Sequence, residues 1–216
     1  MSAVFFYGPS DHRIHIQLEH CEPPIWRRIR VPSELPLPQF ARVIESAMGW
    51  ESYHLHQFDV GGVAFGIVGD DFTDHIIDET AVVVRQILPR EGAELRFDYD
   101  FGDDWHHLIR TEHITERNEH APRVELLDGA RSCPPEDVGG IWGYKNLLDV
   151  LDDPTHEEHK AMRAWAGKAF DPEHFDPAKV QRALEKLFPK AKPKRPTKKP
   201  STTNVVSLIA PFEHSD

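Results

Sequence analysis

Apolar and polar positions alternate along the first third of the chain. Ile14, Ile16 and Leu18 are separated by His15, Gln17 and Glu19, the period of a half-buried strand. Glu22-Pro23-Pro24 predicts a turn, and Ile25 to Val31 a second strand. In that strand Ile25, Ile29 and Val31 share one face, and Trp26, Arg28 and Arg30 the other. Phe40, Val43, Ile44, Ala47 and Met48 then follow helical spacing, and Gly49 supplies a left-handed stop. Tyr53 to Val60 predicts a strand, turned by Gly61-Gly62 into Val63 to Ile67.

An acidic loop with Asp70, Asp71, Asp74, Asp78 and Glu79 follows. Ala81 to Leu88 is rich in β-branched residues and predicts a strand. Glu94 to Phe101 and Trp105 to Thr115 predict a hairpin closed by Gly102-Asp103-Asp104. That loop sets Phe101 opposite Trp105, Tyr99 opposite His107, Phe97 opposite Ile109 and, on the other face, Asp100 opposite His106. Helical signals take over afterwards: Tyr144 to Leu151, His156 to Ala169 with Met162, Trp165 and Ala169 on one stripe, and a third helix capped by Asp176 with Pro177 at its first position. Strands first and helices last predict an α+β domain over residues 1–188. The expectation is a mixed or antiparallel sheet with a β-grasp-like β-β-α-β start and the C-terminal helices on one side.

Charge changes the picture at the end of the chain. The 216 residues carry 25 basic and 36 acidic side chains, a net charge of −11. Six of the basic residues and two of the acidic ones fall in residues 189–216, leaving residues 1–188 with 19 basic against 34 acidic, a net of −15. An acidic body is a poor platform for nucleic acid. The proline- and lysine-rich segment 189–200 predicts a disordered basic tail, either a solvated extension or a contact for phosphates, with the short apolar stretch Val205 to Ala210 beyond it. Cys21 and Cys133 give no disulfide framework. No long apolar run predicts a membrane span and the first residues do not read as a signal peptide, so a cytoplasmic setting is expected.

The candidate chemistry is carried by imidazoles and carboxylates. His54 and His56 stand two apart on a predicted strand and share a face, a start for a metal site. Asp100 and His106 form the pair expected across the hairpin, with Asp103 and Asp104 at its tip. The metal ligand set is then His54, His56, Asp100 and His106, holding a divalent ion. The plain alternative is a polar layer of hydrogen-bonded histidines above a turn shaped by aspartates. Glu136 and Asp137, in the Gly/Pro loop from Cys133 to Gly140, are either cation ligands or caps for local amides. Trp26 and Trp105 complete the candidate binding surface; Trp26 is either a contact anchor or covered by the helical part. Two motifs are excluded by spacing: His156 and His159 are three apart, not the four a zincin helix needs, and Gly139-Gly140 lacks the Lys-Ser/Thr of a phosphate loop.

Five motifs recur in order: Pro23-Pro-Ile-Trp-Arg27, Met48-Gly-Trp50, His54-Leu-His-Gln-Phe58, Tyr99-Asp-Phe-Gly-Asp-Asp-Trp105 and Cys133-Pro-Pro-Glu-Asp-Val-Gly-Gly140. Over about residues 10–180 they resemble the plasmid pRiA open-reading-frame-three-like family, whose members often carry the label of insertion-sequence passenger "TnpR" proteins. The resemblance implies an α+β fold and an association with mobile elements, and assigns no reaction. The family pattern often has a second cysteine where this chain has Val138, which weakens a cysteine-metal or disulfide role for Cys133. No serine-recombinase nucleophile motif and no basic DNA-reading helix stand out in the body. The leading expectation is therefore a non-enzymatic binding or accessory protein acting on a protein partner. The alternative is a metal-dependent, hydrolase-like enzyme using the same His/Asp cleft. Nucleic acid is expected only at the tail, and no membrane contact.

Overall fold

The computed structural model describes residues 8–69 and 75–189. The tail expected over 189–216 and the Asp70, Asp71 and Asp74 part of the acidic loop therefore lie almost wholly outside the described residues. An α+β fold is present. Eight strands form one mixed sheet: β1 (Ser10–Leu18), β2 (Ile25–Pro32), β3 (His56–Val60), β4 (Val63–Gly66), β5 (Ile76–Asp78), β6 (Glu94–Tyr99), β7 (Trp105–Glu116) and β8 (Glu125–Ala130). Their order is β5-β4-β3-β6-β7-β1-β2-β8, antiparallel except for the β4–β5 pair. The helices are α1 (Leu37–Met48), α2 (Val84–Ile87), α3 (Gly140–Asp152), α4 (His159–Ala166) and α5 (Pro177–Leu187). The β-β-α-β start exists as an element order. However, β3 lies three places from β1 in the sheet, with β6 and β7 between them, so the β-grasp likeness goes no further.

Period-2 patterning decides which face of the sheet is buried. Ile14, Ile16, Leu18, Ile25, Ile29 and Val31 point to one side and are fully buried, as are Phe40, Val43, Ile44 and Ala47 of α1. Aromatic rings extend this layer across the strands: Phe40 stacks on Phe58 at 5.8 Å, Phe58 meets Phe97 at 4.9 Å, and Phe97 meets His107 at 5.7 Å. Pro36 and Pro38 fix the start of α1, and Gly49, with φ of 109°, ends it by donating to the Glu45 carbonyl. The opposite face of the sheet is polar. There Glu112 pairs with Arg13 and Arg28, and Asp98 with Arg96. Trp26 belongs to this outer face, stacked on His15 at 5.3 Å beneath the Arg28 guanidinium. It is therefore a partly buried member of a charged surface, covered by His15 and Arg28 and not by the helices.

Three local expectations are corrected. Ala81 to Leu88 is not a strand but a 3-10 turn at Glu79–Ala81 followed by α2. The Asp78 side chain accepts from the Thr80 amide and the Gln86 side chain from the Val83 amide, so local side-chain bonds nucleate turns against the β-branched bias. The β6–β7 loop has five residues, not three, so Tyr99 faces Trp105 and Asp98, not Asp100, faces His106. Asp100 and Asp104 both take left-handed φ, and the Asp104 amide donates to the Asp100 carbonyl at 2.6 Å. Because the slip is an even number of positions, the residues that stay in the two strands keep their faces. Phe101, expected inward opposite Trp105, falls in the turn and is 54% exposed, and Asp100 leaves the outer face for the turn. The helix expected over His156–Ala169 is shorter, and its Trp165 is half exposed. Strands β5 and β8 carry no clear alternation and were not anticipated.

Two buried charges brace this frame. Arg27 sits on the inward face of β2, 2% exposed, among aliphatic neighbours. Its guanidinium donates to the carbonyls of Trp26, Ala47, Ala130 and Arg131 at 2.7–2.9 Å, touches Cys133 Sγ at 3.5 Å, and covers the Phe175 ring. His56 lies between the buried carboxylates of Glu45 on α1, at 3.3 Å, and Glu79, at 3.1 Å. Burial pulls the imidazole pKa down, but the bonds to and charges of Glu45 and Glu79 outweigh it and raise the pKa to about 9.

Replacing Arg27 with Leu strips four carbonyls of their donor and should cost about 3 kcal/mol or more, read as a lower urea midpoint with unchanged slope. A second outcome concerns pH. The raised His56 value means its contribution is complete below pH 6.5 and is lost as pH rises through about 9. The melting temperature of the wild type should fall across that window relative to His56→Gln, measured by circular dichroism in matched buffers.

Candidate metal centre

Three loops meet at one end of the inner face. The first, residues 50–55, leads from α1 into β3; the second is the Asp100–Asp104 turn; the third runs from Cys133 to Gly139 into α3. Trp50 holds the third loop down. Its indole Nε1 donates to the Pro134 carbonyl at 3.0 Å, while its ring stacks on Tyr99 at 5.0 Å and leans on Trp105 at 5.8 Å. Asp103 ties the second loop to the third, accepting from the Gly139 amide at 3.1 Å. The approach is so close that a Cβ on Gly140 would stand 2.3 Å from the Asp103 carbonyl oxygen, and Gly140 also has a φ of 66°.

His54 lies where these loops converge. Its Nε2 is 3.3 Å from Asp137 Oδ1, 3.4 Å from Asp100 Oδ2 and 4.0 Å from Glu136 Oε2. Each carboxylate uses its other oxygen for an anchor. Asp100 Oδ1 accepts from the Gly102 amide at 3.0 Å, Asp137 Oδ2 from the Tyr53 hydroxyl at 2.9 Å, and Glu136 Oε1 from the Glu51 amide at 2.8 Å and the Tyr99 hydroxyl at 3.2 Å. One oxygen of each acid is thus fixed by protein and the other lies on the side of the imidazole, those of Asp100 and Asp137 close enough to His54 Nε2 to gather with it. His54 Nε2 and Glu136 Oε2 are withdrawn from solvent and have no hydrogen-bond partner. Asp100 and Asp137 hold these positions with left-handed backbone, φ of 56° and 57°, a conformation disfavoured for residues with a Cβ. Burial, opposed by the two anchoring bonds, leaves the Glu136 pKa above the ordinary carboxylate range.

The arrangement has the chemistry of a cation site. Three carboxylates beside one imidazole leave net negative charge whether or not His54 is protonated. Metal bonds of about 2.0–2.2 Å in a tetrahedron put ligand atoms roughly 3.3–3.6 Å apart. The His54–Asp100 and His54–Asp137 separations fall in that range, while Glu136 Oε2, 4.0 Å from His54, stands outside the group and would have to move in to join it. Among the described residues, His54, Asp100 and Asp137 are a group of donors close enough to share an ion.

The remaining sequence candidates go elsewhere. His56 faces the same side as His54 but is engaged on both nitrogens by Glu45 and Glu79. His106 is on the outer face, one residue from the inward Trp105, where it meets Asp98 at 2.6 Å and Asp104 at 3.2 Å. The expected quartet of His54, His56, Asp100 and His106 is therefore not assembled, because strand parity puts the sheet between His54 and His106. Trp105 is 2% exposed and serves as floor beneath Trp50, not as a contact surface. Asp103 positions a loop and Trp26 lies across the sheet. Sequence reasoning missed the anchors Tyr53 and Tyr99. Tyr99 was legible as an inward aromatic, but its hydroxyl bond to Glu136 joins residues 37 positions apart.

Comparison with known proteins adds a lineage. The family model described as plasmid pRiA4b ORF-3-like protein matches residues 10–179. The chain is 35% identical over 183 residues to "Uncharacterized protein y4hQ" of Sinorhizobium fredii (strain NBRC 101917 / NGR234), covering 82% of this chain and 92% of that one. It also resembles the crystal structure of a protein of unknown function, MM3350, from Methanosarcina mazei Go1. The TM-score is 0.72 and the identity 34%, over 79% of this chain and 97% of that one. By the match over residues 10–179 and the 35% identity to this relative, the chain belongs to the plasmid pRiA4b ORF-3-like family.

Proposed function

We propose that this protein binds one divalent cation through His54, Asp100, Glu136 and Asp137. The observation that supports the reading best is the shared pattern of the three carboxylates: each has one oxygen anchored and the other turned toward His54 Nε2. Such anchoring is how proteins orient metal ligands before the ion arrives. One imidazole with three carboxylates suits Zn²⁺ or Mn²⁺. With Glu136 drawn in from 4.0 Å by the ion, four protein donors would close a tetrahedral shell, which is the habit of structural sites. The protein is then a non-enzymatic accessory factor whose ion locks three loops into a surface for a protein partner. A cytoplasmic, mobile-element passenger role belongs to the same reading; it rests on the resemblance of the motifs and not on the site.

One observation favours the hydrolase-like alternative. Glu136 is the farthest of the donors and the one whose protonation burial promotes. Were it to yield its place to water, three protein ligands and an activated water would remain, the catalytic pattern.

Chelator-treated full-length protein, titrated with Zn²⁺ or Mn²⁺ in a calorimeter, should take up one ion per chain. His54→Ala should weaken binding by about 100-fold and Tyr99→Phe, which loosens only an anchor, by about tenfold. Uptake should also weaken on acidification, beginning above the usual carboxylate range as Glu136 protonates. No heat, no gain in melting temperature and no ion by elemental analysis would refute the reading. Glu136→Gln separates the two versions: large loss of affinity supports the four-donor site, and unchanged affinity the water-bearing one.

A further inference from the structure

The loops that carry His54 and Asp100 also expose three large apolar side chains. Tyr53 is 55%, Leu55 58% and Phe101 54% exposed, each next in sequence to one of those two residues. The structure ties them together. The Tyr53 ring lies 4.4 Å from the His54 ring, and the Asp100 amide donates to the Leu55 carbonyl at 2.9 Å, which sets the Phe101 turn beside the end of that loop. Exposed apolar groups rimmed by charge are the usual mark of an interaction surface. The rim here has one sign. Residues 50–55, 100–104 and 133–139 hold Glu51, Asp100, Asp103, Asp104, Glu136 and Asp137, and no lysine or arginine. The occupant that complements this surface is an apolar segment flanked by basic residues. One divalent ion offsets only part of this charge, so the requirement is the same with the cation site filled.

The chain carries such a segment itself, outside the described residues and beyond Pro189. Residues 190–199 contain Lys190, Lys192, Lys194, Arg195, Lys198 and Lys199 and no acid, and Val205, Val206, Leu208 and Ile209 follow. Its starting point is set by two helices. Pro189, just past α5, adjoins the start of α1, since it shares a groove with Gln39 and Arg42. The other end of α1 meets the first half of α5, where Met48, Trp50 and Glu136 share a cavity with Lys179 and Val180. With 12 residues in α1, the acidic loops begin about 18 Å from Pro189, at about 1.5 Å per residue. Residues 190–204 can span up to about 50 Å, so Val205 reaches the apolar side chains. The groove beside Pro189 does not compete, because it presents Arg42, Arg123 and Lys186 against Glu185 alone. Tethering raises the local concentration to about the millimolar range, so weak contacts suffice. We propose that segment 190–210 folds back over the mouth of the candidate metal centre. Its lysines and arginine lie beside the acids, and Val205 to Ile209 pack on Tyr53, Leu55 and Phe101. The contact uses the three loops and needs no ion.

The test places a nitroxide on Thr203→Cys in the full, isotope-labelled chain at low salt, with chelator present. The native chain, treated alike, controls for Cys21 and Cys133. The amide signals of Leu55, Phe101 and Asp137 should be broadened away, while that of Thr115, at the other end of β7, keeps its intensity. Lys198→Glu with Lys199→Glu should restore the lost signals, and high salt should weaken the broadening by screening. Leu55→Ser with Phe101→Ser, both at exposed positions, should melt like the native chain and restore the Asp137 signal. Unchanged intensities in the nitroxide-bearing chain would overturn the proposal. So would broadening that survives in either double variant. Broadening that arises when the nitroxide sits on an unlabelled chain mixed with the labelled one would show a second copy as the occupant, and would equally end the fold-back. Because no ion takes part, the calorimetric titration of the cation site succeeds or fails separately.

Discussion

Arg27 directs all its strong hydrogen bonds at main-chain oxygens. No carboxylate among the described residues pairs with it. Its fork instead joins β2, the last turn of α1, the end of β8 and the start of the loop that follows. A buried guanidinium so placed is costly to leave unpaired, and the carbonyls it serves are costly to leave without donors. Residues 130–133 are therefore fixed against the sheet. Everything with chemical character then hangs from that point. From there the chain continues through Pro134 and Pro135 to Glu136 and Asp137.

Beyond this anchor, the two groups of imidazole and carboxylate differ in physical kind. His56 is spanned by Glu45 and Glu79 on opposite ring nitrogens, so both nitrogens are taken and no shared point is left for an ion. His54 instead meets its three acids on the same nitrogen. The first arrangement ties α1 and the 3-10 turn to the sheet. The second accumulates negative charge at a place where loops, not regular elements, supply the groups, and where left-handed backbone at Asp100 and Asp137 is retained despite its cost. Rigid strands below and adjustable loops above is the usual division between scaffold and site.

The cation site lies on the flank of one segment, residues 131–144. The Gly139-Gly140 pair lets that segment turn sharply into α3, and it is held from below by Asp103. Trp50 presses on one end and Tyr144 packs into the core at the other. Order at the site thus depends on a loop whose length and glycines were visible in the sequence, though its contacts were not.

Much of the fold was legible because period 2 and period 3.6 are local. Strands β1, β2, β6 and β7 and helices α1 and α5 follow directly from apolar spacing, prolines and caps. The same rule held a further signal: Arg27 occupies an inward position between Ile25 and Ile29, so its burial was written in the alternation. Strands β5 and β8 were not legible, since their pairing depends on neighbours far away in the chain. The candidate site was legible only in its residue types. His54, Asp100, Glu136 and Asp137 were all singled out, but so were His56 and His106. Which of them meet depended on a five-residue turn that moved Asp98 opposite His106 and freed Asp100 to face His54, and on hydroxyls of Tyr53 and Tyr99 that reach the far loop. Local patterning determines which face a side chain takes. Only tertiary packing, which sets distances between residues tens of positions apart, decides which side chains share a point in space.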